Sequence, residues 1–269
     1  MYYPTLDELK QLRDKEMNRD IAASLVGARR PLVPLCRDIL ADMETPVSAY
    51  CKTAQGPYSF LLESVAGGER IARYSFIGID PYMVMTHRGE TATLRRMRSA
   101  HGGSMDVEEI PCYDPLEFIA AEMGQYRLVT PAGMAHDELP RFHGGAVGYL
   151  SYEAVTRFEH LPVPAKDELG LPLAIFCFTE TVLVFDHLKH RVRIVTHLHL
   201  DAPNLETEYE RGLAIIDDVQ QRLRQAPRFP EEPAPISDAE ALQVVSNRTP
   251  GEFEEMVRQA QAYIRAVSY

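Results

Sequence analysis

The densest set of side chains able to do chemistry lies around Glu63 and Ser64, where the apolar run from Tyr58 to Leu62 ends in a carboxylate and a hydroxyl. Arg70 and Arg73 follow closely. A carboxylate accepts from an ammonium or an N–H, a hydroxyl donates or accepts, and a guanidinium offers a planar fork of donors. Such a trio could surround one small polar ligand. Pattern alone favours the plainer reading, a strand end whose polar groups are solvated.

Other clusters carry weaker chemical signals. His143-Gly144-Gly145-Ala146-Val147-Gly148 looks like a phosphate loop but lacks the Gly-Lys-Ser/Thr ending and the Gly-x-Gly-x-x-Gly spacing. Close strand packing is the better account. His197 and His199 share one strand face and could chelate a metal. Arg191 and Arg193 fall on the same face and would repel a cation, so a solvated face is expected. Glu108-Glu109, Asp217-Asp218 and Glu231-Glu232 are adjacent pairs, and neighbours in sequence do not converge on one ion. They read as solvated charges. No Ser-His-Asp or Cys-His arrangement is legible.

The elements that position Glu63 and Ser64 are two strands, Tyr58 to Val65 and Ile71 to Ile79, reversed at Gly67-Gly68. Val47 to Thr53 alternates and predicts a strand pairing with the first of them across residues 54–57. Pro34 to Met43 predicts a short helix. Thr5 and Glu8 form a capping box for a helix carrying Leu6, Leu9 and Leu12. Arg88-Gly89 predicts a hairpin between Met83–Thr86 and Thr91–Arg95. Asp114-Pro115 opens a helix, with Glu117 completing its box. Gly144 to Tyr152 predicts a buried strand with close backbone contacts. Leu173 to Phe185 and Arg191 to Leu200 are the two longest strand signals. Leu205, Tyr209, Leu213, Ile216 and Leu223 mark a long helix, and Pro227 to Pro235 an exposed acidic linker. Thr249 and Glu252 cap a last helix with the stripe Phe253, Met256, Val257, Ala260 and Ile264. Hairpins dominate and β-α-β alternation is absent. The fold class is therefore α+β, with mainly antiparallel sheets and flanking helices.

Composition bounds the function. A chain of 269 residues, 45% hydrophobic and 25% charged, is that of an ordinary globular protein. A net charge of −11 argues against nucleic acid as a partner. No apolar run approaches the ~20 residues needed to cross a bilayer, and the N-terminus lacks a secretory pattern. Cys36, Cys51, Cys112 and Cys177 are lone thiols with no CxxC, as expected in a reducing cytoplasm.

The run LLES at 61–64, GGERIARYSFIG at 67–78 and Asp80-Pro81 resembles the N-terminal region of the large component of anthranilate synthase. ETPVSAY before it, FHGGAVGYLSY at 142–152 and TPGEFEEMVRQAQAYIR at 249–265 follow in the family's order. Aminodeoxychorismate synthase shares much of this layout and stays as an alternative, as does a stand-alone amino-acid-binding module. The resemblance implies that LLES forms part of the feedback site for L-tryptophan. Glu63 and Ser64 would bind polar groups of the inhibitor and Leu62 would line the pocket; Arg73 is added by inference from its place in the sequence. It further implies a regulatory domain over 1–225, a Pro-rich linker over 226–249, and the first helix of a truncated chorismate-binding domain over 250–269. The family converts chorismate to anthranilate and pyruvate, with ammonia from the glutamine amidotransferase component II and with Mg2+ holding the carboxylates. Those catalytic groups belong to a chorismate-binding half expected beyond Tyr269, so this chain alone is expected to be inactive.

Overall fold

The computed structural model describes residues 2–22, 29–40, 42–63, 73–97, 105–131, 134, 139–161, 169–227 and 245–267, with backbone only at 17–22 and 267. In order, these form β1 (Tyr2–Tyr3), α1 (Leu6–Ala22), β2 (Arg30–Leu40), α2 (Pro46–Thr53), β3 (Phe60–Leu62), β4 (Tyr74–Gly78), β5 (Met83–Arg88) and β6 (Thr91–Met97). Then come β7 (Met105–Pro111), α3 (Pro115–Gly124), β8 (Tyr126–Leu128), β9 (Gly145–Leu150), β10 (Ala174–Thr179), β11 (Val182–Asp186), β12 (Arg191–His199), α4 (Leu205–Leu223) and α5 (Pro250–Val267). The chain divides into two units, residues 1–228 and 229–269.

Among the described residues, two sheets build the first unit, and the α+β, mainly antiparallel expectation holds. One sheet runs β1-β2-β12-β11-β4-β3, with β8 added parallel to β2; the other runs β7-β6-β5-β10-β9. Two antiparallel arms pass from one sheet into the other: β4 continues into β5 through Asp80, and β10 into β11 through Glu180. Asp80 takes the bend with φ of 46°, a left-handed conformation that Asp tolerates better than most residues. Leu173 to Phe185 is therefore not one strand. Its two halves serve different sheets.

The first sheet is covered on both faces. Val33, Leu35, Leu183, Phe185, Ile194 and Leu198 pack against Leu9 of α1, Ala49 of α2 and Ile216 and Val219 of α4. On the other face Cys36, Val182, Val184 and Val195 pack against Leu139 and Phe142. Burial on both faces explains why every residue of β11 is buried. The second sheet packs Met83, Met85, Leu94 and Phe178 against Phe118, Ile119 and Met123 of α3.

Two local expectations fail for identifiable reasons. The helix expected over Pro34 to Met43 is not found: Pro34 to Leu40 is the later part of β2, which pairs with β12 from Leu32 to Leu40. Val33 to Cys36 are all buried, so the period-2 signal is erased. Val47 to Thr53 is not a strand. Thr45 and Ser48 cap each other, Ser48 N–H to Thr45 Oγ1 at 3.1 Å and Thr45 N–H to Ser48 Oγ at 3.0 Å, and Pro46 opens α2. Ala49 and Thr53, four apart, are its buried pair.

The remaining elements match more closely. The Thr5–Glu8 and Thr249–Glu252 boxes form, and Gly89 turns the β5–β6 hairpin at φ of 59°. Asp114 caps α3 by accepting from the Leu116 N–H at 2.8 Å, but Glu117 does not complete the expected box. β9 is a strand as expected but lies at a sheet edge, with Tyr149 and Leu150 exposed rather than buried. The close approach at Gly148 is real: a Cβ there would sit 2.7 Å from Phe176 Cα of β10. Asp217 and Asp218 are not simply solvated, since Asp217 takes Tyr2 and Arg37, and Asp218 takes Arg222.

Candidate functional site

Leu62 and Glu63 lie at the end of β3, an outer strand of the first sheet. Leu62 stands opposite Phe76 of β4, and both Leu62 and Glu63 are exposed. Ser64 and Arg70, with the Gly67-Gly68 turn, lie outside the described residues. Arg73 stands just before β4. Its Nε donates to Asp186 Oδ1 at 3.1 Å and its Nη2 to Oδ2 at 2.8 Å, while its guanidinium lies 4.7 Å from the Tyr74 ring centre. Burial alone would raise the Asp186 carboxyl, but the Arg73 fork and the Lys189 and Leu188 N–H groups hold it below its usual value. The sequence thus joins Glu63 to a strand end, while the fold commits the Arg73 fork to β11.

A cavity of about 190 Å³ opens where the two sheets meet. Leu32 of β2, Met123 of α3, and Tyr126 and Leu128 of β8 supply apolar walls, joined by the ring of Tyr82 next to β5. Its polar side is built by His143, Glu180 and His197, with Gly144 between them. The expectation of a solvated His197–His199 face is overturned. His197 is only 5% exposed, because Phe142 and His143 fold over that face of the sheet. Arg191 and Arg193, lower on the same strand, are drawn to Asp38 of β2 at 2.6 Å each.

The two imidazoles are stacked, centroids 5.1 Å apart, with His143 Nδ1 3.0 Å from His197 Nε2. His197 Nδ1 lies 2.9 Å from the Glu180 carbonyl oxygen. A carbonyl only accepts, so His197 Nδ1 carries the proton. Burial lowers the basicity of His197, so its Nε2 is bare and accepts from His143 Nδ1–H. The proton order leaves His143 Nε2 as a lone-pair acceptor with no protein partner among the described residues. Burial, then the neighbouring His197, holds His143 neutral with a pKa of about 4. Glu180 would be raised by burial, but His199 and Arg211 hold its carboxyl below the usual range.

Gly144 is what lets the rings stack. A Cβ there would lie 2.8 Å from His197 Cε1 and 3.3 Å from the Thr179 carbonyl oxygen. In the sequence, His143-Gly144 signals only close packing. Its partner His197 lies far along the chain, and nothing local announces the pairing. Among the described residues, no three His, Cys, Asp or Glu side chains converge to hold a metal. No described helix is long and apolar enough to cross a membrane.

The family model described as chorismate binding enzyme matches residues 58–269. The chain belongs to the chorismate-binding enzyme family. Similar curated proteins include anthranilate synthase component 1 chains. That of Acetivibrio thermocellus is 34% identical over 269 residues, covering 98% of this chain and 49% of the relative. That of Pseudomonas aeruginosa is 34% identical over 254 residues, covering 93% of this chain and 49% of the relative. The chain thus spans about half the length of the curated relatives it matches. A solved structure of anthranilate synthase component I from Streptococcus pneumoniae TIGR4 aligns over 85% of this chain and 45% of that one, at 21% identity and a TM-score of 0.44.

Proposed function

We propose that this chain forms the regulatory part of an anthranilate synthase component I and carries one wall of its L-tryptophan feedback site. The observation that supports this reading is the match to component 1 chains along nearly the whole sequence. In it, Leu61 and Leu62 of the LLES segment lie on the edge strand β3, and exposed Glu63 follows them. Glu63 and Ser64 take polar groups of the inhibitor, Leu62 lines the pocket, and Arg73 steadies the strand start through Asp186. The chorismate chemistry, the Mg2+ that serves it and the ammonia supplied by component II belong to the complete cytoplasmic enzyme. That chemistry yields anthranilate and pyruvate.

Two assays test the reading. With chorismate, Mg2+ and ammonium, the chain alone should give no anthranilate fluorescence above a no-protein control, and clear turnover would overturn its inactivity. Joined to the remaining half of the Acetivibrio thermocellus relative, it should confer tryptophan inhibition on anthranilate formation. A fusion that turns over but ignores tryptophan rejects the regulatory assignment.

A further inference from the structure

We propose that the cavity beside the His143–His197 pair binds a small aromatic molecule of one ring bearing a hydrogen-bond donor, a phenol or an arylamine. Size sets the first limit. An apolar cavity of about 150 Å³ admits a benzene ring, and this one, at about 190 Å³, has room for a ring with a short substituent. The walls set the second. Tyr82 and Tyr126 offer ring faces and edges, and Met123, Leu32 and Leu128 offer soft apolar contact.

The polar side sets the third. His143 Nε2 is an acceptor by the proton order derived from the Glu180 carbonyl and His197. His143 is a lining residue of the cavity, and no described residue hydrogen-bonds its Nε2. The Thr179 hydroxyl donates elsewhere, 2.9 Å from the Thr181 carbonyl oxygen. Arg127 is ion-paired with Glu16. The Glu180 carboxylate is held by His199 and Arg211, and the bare His143 Nε2 offers no donor, so a ligand that brings its own carboxylate would bury a charge without a partner and is disfavoured. A donor on the ring satisfies His143 Nε2, while an acceptor-only ring leaves it dry and unpaired, which is costly. This site uses β2, β8 and β12, whereas β3 and the proposed tryptophan wall lie at an outer edge of the sheet. It does not depend on that reading.

The test titrates the 269-residue chain with phenol, aniline, anisole and benzoate, following imidazole nitrogen shifts by NMR. Phenol and aniline should shift the His143 Nε2 resonance and bind at least tenfold more tightly than anisole or benzoate. His143→Phe should remove the preference for phenol over anisole. Leu128→Trp, placed at the exposed rim and away from the imidazoles, should fill the cavity and abolish binding even if the first variant does not fold. Equal binding of anisole and phenol, no shift at His143, or phenol binding that survives Leu128→Trp would each overturn the proposal.

Discussion

Arg222 of α4 donates from Nη1 to Asp80 Oδ2 at 2.7 Å, across the bend where β4 passes into the second sheet. The same nitrogen lies 3.2 Å from the Thr53 carbonyl oxygen at the end of α2, and Nη2 is 2.6 Å from Asp218. One buried guanidinium therefore ties α2, α4 and the left-handed corner together. Arg222→Met keeps the apolar stem but leaves Asp80 and Asp218 without this cation. Loss of one partner from a buried pair is expensive. Both acids keep some contact with water, so the expected cost is about 2–3 kcal/mol, read as a lower urea midpoint. A midpoint within error of the unsubstituted chain would show that the corner stands without the tie.

Gly148 makes a second stability prediction. The backbone of β10 occupies the space where its Cβ would be, with Phe176 Cα at 2.7 Å and Ile175 C at 2.8 Å. Backbone in a paired strand cannot yield cheaply. Gly148→Ala should cost about 1–3 kcal/mol by overpacking and weaken amide protection along β9. Gly56→Ala, where nothing lies within 4 Å, is the control and should stay within ~0.5 kcal/mol. Equal midpoints for the two variants would refute the packing argument.

The elements that were legible in the sequence are those whose signals are local. The Thr5–Glu8 and Thr249–Glu252 boxes, the Asp114-Pro115 start and the Gly89 hairpin each depend on residues within a few positions. β2 was not legible because both its faces are buried, and Pro34 imitates a helix start. The break between β10 and β11 was hidden for a related reason: an apolar run shows burial but not which sheet buries it. The His143–His197 pair was invisible because stacking depends on the cover that Phe142 lays over β12. Proximity of that kind is a tertiary fact with no sequence period.

The imidazole pair also sets a pH dependence. His143 is faced by His197 on β12, by Glu180 with its partners His199 and Arg211, by Tyr82, and by Arg127 and Tyr126 on β8. Its pKa is about 4 in the folded chain and 6.5 when free. Above pH 6.5 neither state holds the proton. Between 6.5 and 4 the unfolded state binds it and the folded state does not, so stability falls as pH falls. The lowered His197 acts in the same direction. Allowing for the partial contact of His143 with solvent, the loss should be about 2 kcal/mol across that window. Urea midpoints measured from pH 7.5 to 4.5 should decline, and His143→Phe should flatten the decline. A variant with the same slope as the parent would place the proton uptake elsewhere.

The last prediction separates ligand contact from support on the proposed tryptophan wall. In the complete enzyme, Ser64→Phe puts a ring where the inhibitor's polar group would sit. Each ~1.4 kcal/mol of lost binding weakens inhibition tenfold, and burying a displaced polar group without a partner costs about 1–3 kcal/mol. Tryptophan inhibition, normalised to each variant's own uninhibited rate, should therefore weaken at least about tenfold. Glu63→Ala should act in the same direction. Arg73→Lys is different. It keeps the charge but loses the fork onto Asp186, whose two bonds fix the start of β4. It should lower the unfolding midpoint while shifting the inhibition constant much less than Ser64→Phe does. If Arg73→Lys instead weakened inhibition as strongly as Ser64→Phe at an unchanged midpoint, Arg73 would be a direct inhibitor contact. If Ser64→Phe left inhibition intact, the LLES strand would not be part of the feedback site.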